Sequence, residues 1–497
     1  MLDERLPVIA GVGQINDRPA NPLDGLDPVE LMAAALEKAQ ADAGADLLGD
    51  ADYLGVVQQI AFPAIANACE PLAARLGASP AVMFQSHGPN GDSPVMLLNE
   101  AANRIGAGET RIAIIAGAEA LRTAGARAAA AAADGQKPDA LRQAAHRKKL
   151  GYAQSYGLVA PVDVYPLYEN ALRHSLGQTL AEAQAESGAI WSRFSEVAAA
   201  NENAWIRKPV SAAEIVTPSD SNRPIAFPYT KLQVANAAVN QGAAFIVTSV
   251  GEARRRGIPE AKWIYVGNGA AAHEHDSWLE RDTYDHSASM EVSIRRTLDL
   301  NALTPADLDT VELYSCFPCI PKLARRIIDW PLDKPATVFG GLTFGGGPIG
   351  NYMSHAIASM VDQLRARGGT GLLFANGGFA THNHTIAVSS QPIAAASFPR
   401  SYDFQAEADA LRGAIPAQDR DYAGPATLET YTVFYGRDGQ PRSGVVVART
   451  PDGKRTLGHV PGSDEATLAR LTASDGDPVG AAGTIGAGDP LNLWAFA

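Results

Sequence analysis

The chain has 497 residues, of which 46% are hydrophobic and 19% are charged, a balance that can bury the cores of two or three domains. Its net charge of -13 disfavours nucleic acid as the main partner, because phosphate backbones bind positively charged surfaces. Only three cysteines, no basic leader and no long apolar run predict a cytoplasmic protein that does not span a membrane.

Short apolar runs alternate with helical spacing over the first 120 residues, which predicts an α/β sheet covered by helices. The predicted strands are 6–14, 52–57, 81–85 and 111–117, and the predicted helices are 28–43, 68–76 and 94–107. Residues 120–235 differ, with an Ala-rich stretch, a basic cluster at 146–149 and a helix around 189–206. We interpret them as an excursion from the sheet, to which strand 242–249 returns.

A second α/β set follows and suggests an internal duplication. Its predicted strands are 262–268, 310–314 and 370–376, and its predicted helices are 288–300, 318–329 and 349–366. After residue 395, alternating segments at 427–436, 443–450 and 455–461 are separated by Asp-Gly turns, which predicts a small β-rich domain such as a partly open barrel. The predicted domains are therefore 1–255, including the excursion, then 256–395 and 396–497.

Polar or glycine-rich stretches lie where predicted strands meet helices, the usual location of ligands in α/β folds. The first stretch, residues 86–94, contains Gly91, Asp92 and Ser93 just before a helix. Either Asp92 or Ser93 caps that helix, or exposed amides here face a ligand oxygen. Both interpretations stay open at this point.

The second stretch, residues 312–318, places the side chains of Tyr314, Ser315 and Cys316 where a strand meets a helix. Strand alternation puts Tyr314 and Cys316 on one face. Cys316 is either close to a ligand or a small packing residue. No second CxxC pair or histidine cluster accompanies Cys316 and Cys319, so no metal is expected.

Two further stretches follow the second set of strands. Residues 340–352 are rich in glycine, which lets backbone approach a ligand closely, and they lead into a helix that carries His355. Residues 376–384 follow the last apolar strand and contain His382 and His384, which we expect to be exposed turn residues.

The order of these stretches over residues 6–395 resembles a thiolase, most of all the sterol-carrier-protein-type branch and thiolase-like proteins of type 1. Residues 314–317 (YSCF) resemble the HDCF motif, 346–350 (GGPIG) resemble GHPxG, and 374–378 (FANGG) stand where thiolases carry CxGGG. The run FPYTK at 227–231 and the β-rich tail are similar to the type 1 proteins. The resemblance implies an α/β duplicated thiolase fold with five layers (αβαβα), a large loop excursion and an OB-like C-terminal domain.

The resemblance also places Gly91 at the nucleophilic cysteine, Gly347 at the histidine of GHPxG and Ala375 at the cysteine of CxGGG. A thiolase needs a thiolate, a base that activates it and a second acid/base, so chemistry through an acyl-cysteine is not expected. What remains is a pocket that polarises a thioester carbonyl. We predict Tyr314, Cys316, Tyr352 and His355 as catalytic residues. The predicted acyl or oxyanion pocket comprises Gly91, Asp92, Ser93, Ser315, Gly347, Asn351, Asn376, Gly377, Gly378 and His382.

Three functions stay open. The first is an acyl-CoA-binding protein of the acetyl-CoA acetyltransferase type in lipid metabolism, working without an acyl-cysteine. The second is a retro-aldol lyase that acts on a β-hydroxyacyl-CoA with Tyr314 or Tyr352 as base, and the third is a non-catalytic CoA-ester binding protein. In each, CoA is substrate or ligand, no other cofactor is expected, and the protein is a monomer or homodimer. The predicted contacts of the 3′-phospho-ADP end are Arg147, Lys148, Arg207, Lys208 and Lys231.

Overall fold

Strands and helices alternate in the first part of the chain, as the spacing of apolar residues predicted. The structure is a computed structural model that describes residues 4–133 and 151–497. The first elements are β1 (Pro7–Asn16), α1 (Pro28–Ala43), β2 (Tyr53–Val56), α2 (Cys69–Leu76), β3 (Val82–Gln85), α3 (Ser93–Ala107), β4 (Ile112–Ala120) and α4 (Leu121–Ala133). Helix α1 has the predicted bounds, because Asp27 and Glu30 form a capping box at its start and Gly44 ends it at φ 72°.

The described residues between 120 and 240 lie outside the sheet, which the chain rejoins opposite the point where it left. Ala120 at the end of β4 pairs with Asn240 at the start of the next long strand. The elements are α5 (Tyr152–Ser155), α6 (Pro161–Ser175), α7 (Leu180–Ala200), α8 (Ala212–Val216), β5 (Pro224–Ala226), β6 (Tyr229–Thr230), β7 (Asn240–Ser249) and α9 (Val250–Arg255). The helix predicted around 189–206 is α7, which begins earlier because Thr179 and Glu182 form a capping box.

The second α/β set contains seven α-helices and β-strands, one of which the sequence did not predict. They are β8 (Ile264–His273), α10 (Ala288–Leu300), β9 (Thr310–Leu313), α11 (Cys319–Ile327), α12 (Tyr352–Arg367), β10 (Thr370–Gly377) and, unpredicted, β11 (His382–Ser389). Residues 382–384 were predicted to be an exposed turn. That prediction is wrong for His384, which lies in β11, is 1% exposed and pairs its ring nitrogen with the Asn99 amide.

The nine strands β1–β4 and β7–β11 form one sheet in the order β3-β2-β4-β7-β1-β8-β11-β10-β9. Antiparallel pairing of Val8 and Ile9 with β8 joins the two halves. Helices α3 and α12 contact strands of both halves, whereas α1 packs on β1, β4 and β7 and α10 packs on β8 and β11. The five layers therefore follow one another as helix α1, the first half of the sheet, helices α3 and α12, the second half of the sheet and helix α10. This confirms the five-layered αβαβα fold.

The C-terminal segment forms a barrel. Its elements are α13 (Gln405–Leu411), β12 (Gly424–Tyr435), β13 (Pro441–Arg449), β14 (Arg455–Pro461), α14 (Glu465–Leu471), β15 (Ala482–Gly486) and β16 (Leu493–Phe496). Pairing runs β12-β13-β14-β16-β15 and back to β12, which closes five strands into a ring typical of OB-like domains. Phe434 of β12 also pairs with Ala226 of β5, so the excursion extends the barrel sheet.

Candidate functional site

Four segments meet at one end of the two central helices: the turn before α3, the segment after β9, the glycine-rich stretch before α12 and the turn after β10. A Cβ atom at Gly350, before α12, would lie 3.0 Å from the Pro89 Cα before α3. A Cβ atom at Gly341 would lie 3.0 Å from the Ser315 Oγ, which accepts a hydrogen bond from the Leu342 amide. These are the stretches that the sequence singled out, and the fold brings them together.

Gly91 has no space for a side chain. A Cβ atom there would overlap the Tyr314 hydroxyl and the Asn376 carbonyl oxygen, and would lie 2.6 Å from the Tyr314 Cζ. Real side chains do not tolerate such contacts without displacement of the backbone or the ring. The phenol of Tyr314 therefore occupies the space into which a nucleophilic side chain at residue 91 would extend.

Tyr314 lies just beyond the end of β9, with 7% of its surface exposed. Burial raises the pKa of its phenol well above the ordinary value, so the hydroxyl stays protonated at neutral pH. Among the described residues, this hydroxyl has no hydrogen-bond partner. It is therefore a neutral donor that is available to a ligand oxygen. Because β9 ends at Leu313, strand alternation does not extend to Cys316 and does not place it on one face with Tyr314. The two side chains are nevertheless close enough to interact electrostatically.

Tyr352 differs from Tyr314 although the two rings pack edge to face with centroids 5.8 Å apart. Tyr352 is fully buried, and its hydroxyl donates a 2.7 Å hydrogen bond to Glu312 Oε1. Glu312 also accepts hydrogen bonds from Thr337 and Val338, and burial raises its pKa to about 7. Tyr352 was predicted as a catalytic residue, but its hydroxyl has an internal hydrogen-bond partner in this structure.

Asn351 and His355, at the start of α12, also point into the protein. Asn351 Nδ2 donates a 2.6 Å hydrogen bond to the Gly117 carbonyl oxygen. His355 is fully buried, stacks on Phe339 and shares a 2.8 Å hydrogen bond with Gln14 Oε1. Burial lowers the pKa of His355 to about 3, so its ring is neutral. The prediction that His355 is catalytic does not agree with this packing.

The Cys316 thiol is partly exposed but not activated. Burial of the sulfur raises the pKa of Cys316 to about 12, although Tyr165 and the Phe317 amide oppose that shift. A thiol with this pKa is essentially all protonated at neutral pH, and a thiol is a much weaker nucleophile than a thiolate. That Cys316 is not a nucleophile stays a prediction, and the raised pKa of its thiol is consistent with it.

Two tyrosines of the excursion hold the turn after β10, and sequence reasoning missed both. The Tyr165 hydroxyl donates to Asn376 Oδ1 and to the Gly378 carbonyl, and accepts a 2.9 Å hydrogen bond from the Ala380 amide. The Tyr168 hydroxyl donates a 2.8 Å hydrogen bond to the Phe379 carbonyl. Gly378 has φ 60°, which explains the glycine at that position. The Val-Tyr-Pro-Leu-Tyr run at 164–168 is the signal that could have identified these residues.

Asp92 carries a carboxylate without a hydrogen-bond partner. The residue is 8% exposed and directly precedes α3, and its backbone carbonyl accepts a hydrogen bond from the Met96 amide, but its side chain makes no capping hydrogen bond and accepts none from another described residue. The expectation that Asp92 caps the helix through its side chain is therefore wrong. Burial raises the pKa of this carboxyl to about 6, and nearby His273 partly opposes that effect. A Cβ atom at Gly377 would lie 2.7 Å from Asp92 Oδ1.

His273 ends β8 and was not predicted as a site residue. Its ring packs edge to face on His382 with centroids 4.6 Å apart, and His382 Nδ1 pairs with Thr381 Oγ1 at 3.0 Å. The remaining predicted pocket residues lie in the same turns: the Ser93 amide donates to the Asn90 carbonyl, and the Gly347 amide donates to the Asn236 carbonyl.

The predicted CoA contacts are only partly described. Arg147 and Lys148 lie outside the described residues. Arg207, Lys208 and Lys231 are exposed. Within residues 4–133 and 151–497, no group of histidine, cysteine or carboxylate side chains could hold a metal ion. No helix in that part of the chain is long and apolar enough to cross a membrane.

Arg207 belongs to a basic cluster that the sequence did not predict. Arg18 packs its guanidinium on the Trp205 ring, 3.9 Å from the centroid, and Arg122 lies 6.0 Å from the same centroid. Burial, together with the charges of Arg122 and Arg207, lowers the pKa of Arg18. None of these three arginines forms an ion pair with a described carboxylate. The adjoining Trp205 amide donates to Gly345 of the glycine-rich stretch.

Comparison with known proteins agrees with this architecture. A family model described as the additional C-terminal domain of thiolase-like protein type 1 matches residues 403–489. The whole chain is similar to a monomeric SCP2-thiolase-like protein type 1 from Mycobacterium smegmatis, with 31% identity, 100% of both chains covered and a TM-score of 0.84. No curated protein sequence matches the chain.

Two more distant solved structures share the fold alone. An Ltp2-ChsH2(DUF35) aldolase is 19% identical, with 78% of this chain and 98% of that chain covered and a TM-score of 0.60. The human mitochondrial 3-ketoacyl-CoA thiolase is 14% identical, with 78% of this chain and 100% of that chain covered and a TM-score of 0.56.

Proposed function

This chain belongs to the SCP2-thiolase-like protein type 1 family, and on that premise we propose that it binds an acyl-CoA thioester and polarises its carbonyl without forming an acyl-enzyme. The observation that carries this proposal is the Tyr314 phenol, which fills the space beside Gly91. The Cys316 thiol, with a pKa of about 12, offers no replacement nucleophile. The proposal includes a role in cytoplasmic lipid metabolism, with CoA as the carrier of the acyl group and no other cofactor.

The reaction that fits these residues is the retro-aldol cleavage of a β-hydroxyacyl-CoA. A base removes the proton of the β-hydroxyl, the bond between the α- and β-carbons breaks, and a ketone or aldehyde leaves. The electron pair of that bond moves into the thioester enolate, whose oxygen accepts a hydrogen bond from the Tyr314 hydroxyl. Protonation of the α-carbon then gives a shortened acyl-CoA. The reason to prefer this reaction to acetyl transfer is that residue 91 is a glycine and offers no nucleophile to accept an acetyl group.

The anionic end of CoA needs positive charge, which this acidic protein offers locally. Three arginines, Arg18, Arg122 and Arg207, lie close together around Trp205. None has a carboxylate partner among the described residues, so no negative charge in that part of the chain offsets the repulsion between them. A phosphate group would offset it, because guanidinium groups bind phosphate bidentately. We include these three arginines with Lys208 and Lys231 in the proposed CoA site.

Calorimetry with CoA tests the binding step. The double variant R18Q/R122Q should bind CoA at least ten-fold more weakly at low salt, because each charge-assisted hydrogen bond contributes about 1.5–3 kcal/mol. Raising the salt concentration should weaken CoA binding by the wild-type protein and reduce the difference in affinity between wild type and the double variant. The R437Q variant is the matched control, since Arg437 is exposed in the turn between β12 and β13. Undetectable binding at millimolar CoA would contradict the proposal.

A non-catalytic CoA-ester binding protein is the second candidate. The observation that favours it is that Tyr352 and His355, two of the four predicted catalytic residues, have internal partners. Incubation with a panel of β-hydroxyacyl-CoA esters separates the candidates by product analysis. Cleavage of any ester into a shorter acyl-CoA and a carbonyl compound supports the lyase, whereas saturable binding without any turnover supports the carrier.

A further inference from the structure

The carboxylate of Asp92 has three properties that a purely structural carboxylate lacks. It is nearly buried, it caps no helix, and it has no hydrogen-bond donor among the other described residues. Burying a charge without a partner is unfavourable, and folded proteins usually avoid it. Such groups are found more often at sites where the unmet interaction belongs to a ligand or a reaction.

The position of Asp92 relates it to the reacting atoms of the proposed substrate. It follows Gly91, where an added Cβ atom would overlap the Tyr314 phenol, and its Oδ1 would lie 2.7 Å from a Cβ atom at Gly377, the last residue of β10. The end of β10 is where the resemblance to thiolases places the second acid/base, and Ala375 there supplies no titratable group. The carboxylate and the neutral phenol are close enough to interact electrostatically. The Asp92 carboxylate, which can accept a proton, therefore lies beside the Tyr314 hydroxyl, which can donate a hydrogen bond to an oxyanion.

We propose that Asp92 is the general base of this site, and that it exchanges a proton between the bound acyl-CoA and the solvent. This inference rests on the proposed function. In the cleavage direction, the carboxylate takes the proton of the β-hydroxyl and returns it to the α-carbon of the enolate. In the reverse direction, it takes an α-proton, the electron pair of the C–H bond moves into the enolate, and the Tyr314 hydroxyl stabilises the enolate oxygen. No other reactant is consumed.

We assign to His273 the transfer of a proton between this carboxylate and water. It is exposed at the end of β8, and its electrostatic interaction with Asp92 opposes the effect of burial on that carboxyl, while burial lowers the pKa of His273 itself. Three further groups face this pair from other elements: His382 from β11 and the carboxylates of Asp276 and Asp403, all of which act on His273. An imidazole between a buried carboxylate and solvent can pass on a proton. His273 therefore acts through Asp92, and we assign it a positioning and relay role.

The pKa of Asp92, raised to about 6, suits this task. A base works best when it is largely ionised at the operating pH yet still binds a proton strongly. Proton abstraction should therefore increase as pH rises through about 6 and reach a plateau above it. The H273Q variant removes the imidazole and should change this pH profile while CoA binding is retained.

Hydrogen exchange of acetyl-CoA tests the inference without knowledge of the natural substrate. The protein is incubated with acetyl-CoA in D2O, and deuterium in the methyl group is measured by mass spectrometry. Wild-type protein should catalyse exchange, and D92N should lower the rate by about 100-fold or more while its CoA affinity in calorimetry stays within about two-fold. The matched control is D276N, which changes an exposed carboxylate near the same histidines.

Each outcome decides the inference. Exchange by folded D92N at the wild-type rate overturns it, and so does a wild-type protein that binds CoA but catalyses no exchange, although the binding proposal then survives. A wild-type protein that does not bind CoA contradicts the proposed function itself. If D92N fails to fold, D92E replaces it. Retained exchange with an altered pH profile in D92E supports the inference, whereas an unchanged profile overturns it.

Discussion

Replacing Asp92 by asparagine should stabilise the protein, and the gain should depend on pH. The carboxyl has an ordinary pKa of 3.8, and burial raises it to about 6 in the folded protein. A raised pKa means that the folded state prefers the protonated carboxyl. This group therefore adds stability below pH 4, and that stability is lost as pH rises through about 6. Asparagine resembles the protonated carboxyl at every pH.

The magnitude follows from the two pKa values. A difference of about two pKa units corresponds to about 3 kcal/mol once the carboxyl is ionised in both states. Between pH 4 and pH 8, the difference in unfolding free energy between D92N and wild type should change by about 2 kcal/mol. Urea denaturation of wild-type and D92N protein at pH 4, 6 and 8 measures it, because titrations of other groups cancel in the difference. A difference between wild type and D92N that stays constant with pH would refute the reasoning.

Three further predictions concern neighbouring groups. The G91A variant should lose about 1–3 kcal/mol in urea denaturation, because its methyl group overlaps the Tyr314 ring, whereas G49A, where nothing lies within 4 Å of the new Cβ, should lose less. The Y314F variant should turn over a β-hydroxyacyl-CoA about ten- to a thousand-fold more slowly in a product assay, with CoA affinity nearly unchanged. The R455M variant should lose about 1–3 kcal/mol in a thermal or urea assay, because the carbonyl oxygens of Leu279 and Arg281 lose the buried Arg455 guanidinium as donor, whereas Glu429 keeps its ion pair with Arg449.

Much of the fold could be predicted because local patterns specify it. Helices 28–43 and 288–300 have the predicted bounds, since Asp27 and Ser287 accept hydrogen bonds from the first helical turn. Strand β11 was missed because it begins with the polar residues His-Asn-His, whose burial depends on pairing with β8 and β10. A local pattern contains no information about that pairing.

The segments of the site could be predicted, but the roles of their side chains could not. Both Tyr314 and Tyr352 belong to motifs, yet only the fold shows that Glu312 accepts a hydrogen bond from one phenol and that the other phenol lies against Gly91. Tyr165 comes from a distant helix. The isolation of Asp92 arises from the absence of donors around it among the described residues, and a sequence does not reveal a missing contact.

Product analysis with a β-hydroxyacyl-CoA tests the central claim most directly. Wild-type protein is incubated with the ester, the small molecules are identified by mass spectrometry, and the intact protein is weighed in the same sample. The account predicts a shortened acyl-CoA together with a ketone or aldehyde, and no mass added to the protein, because Gly91 offers no nucleophile and the Cys316 thiol stays protonated. An acyl adduct on the protein would contradict it.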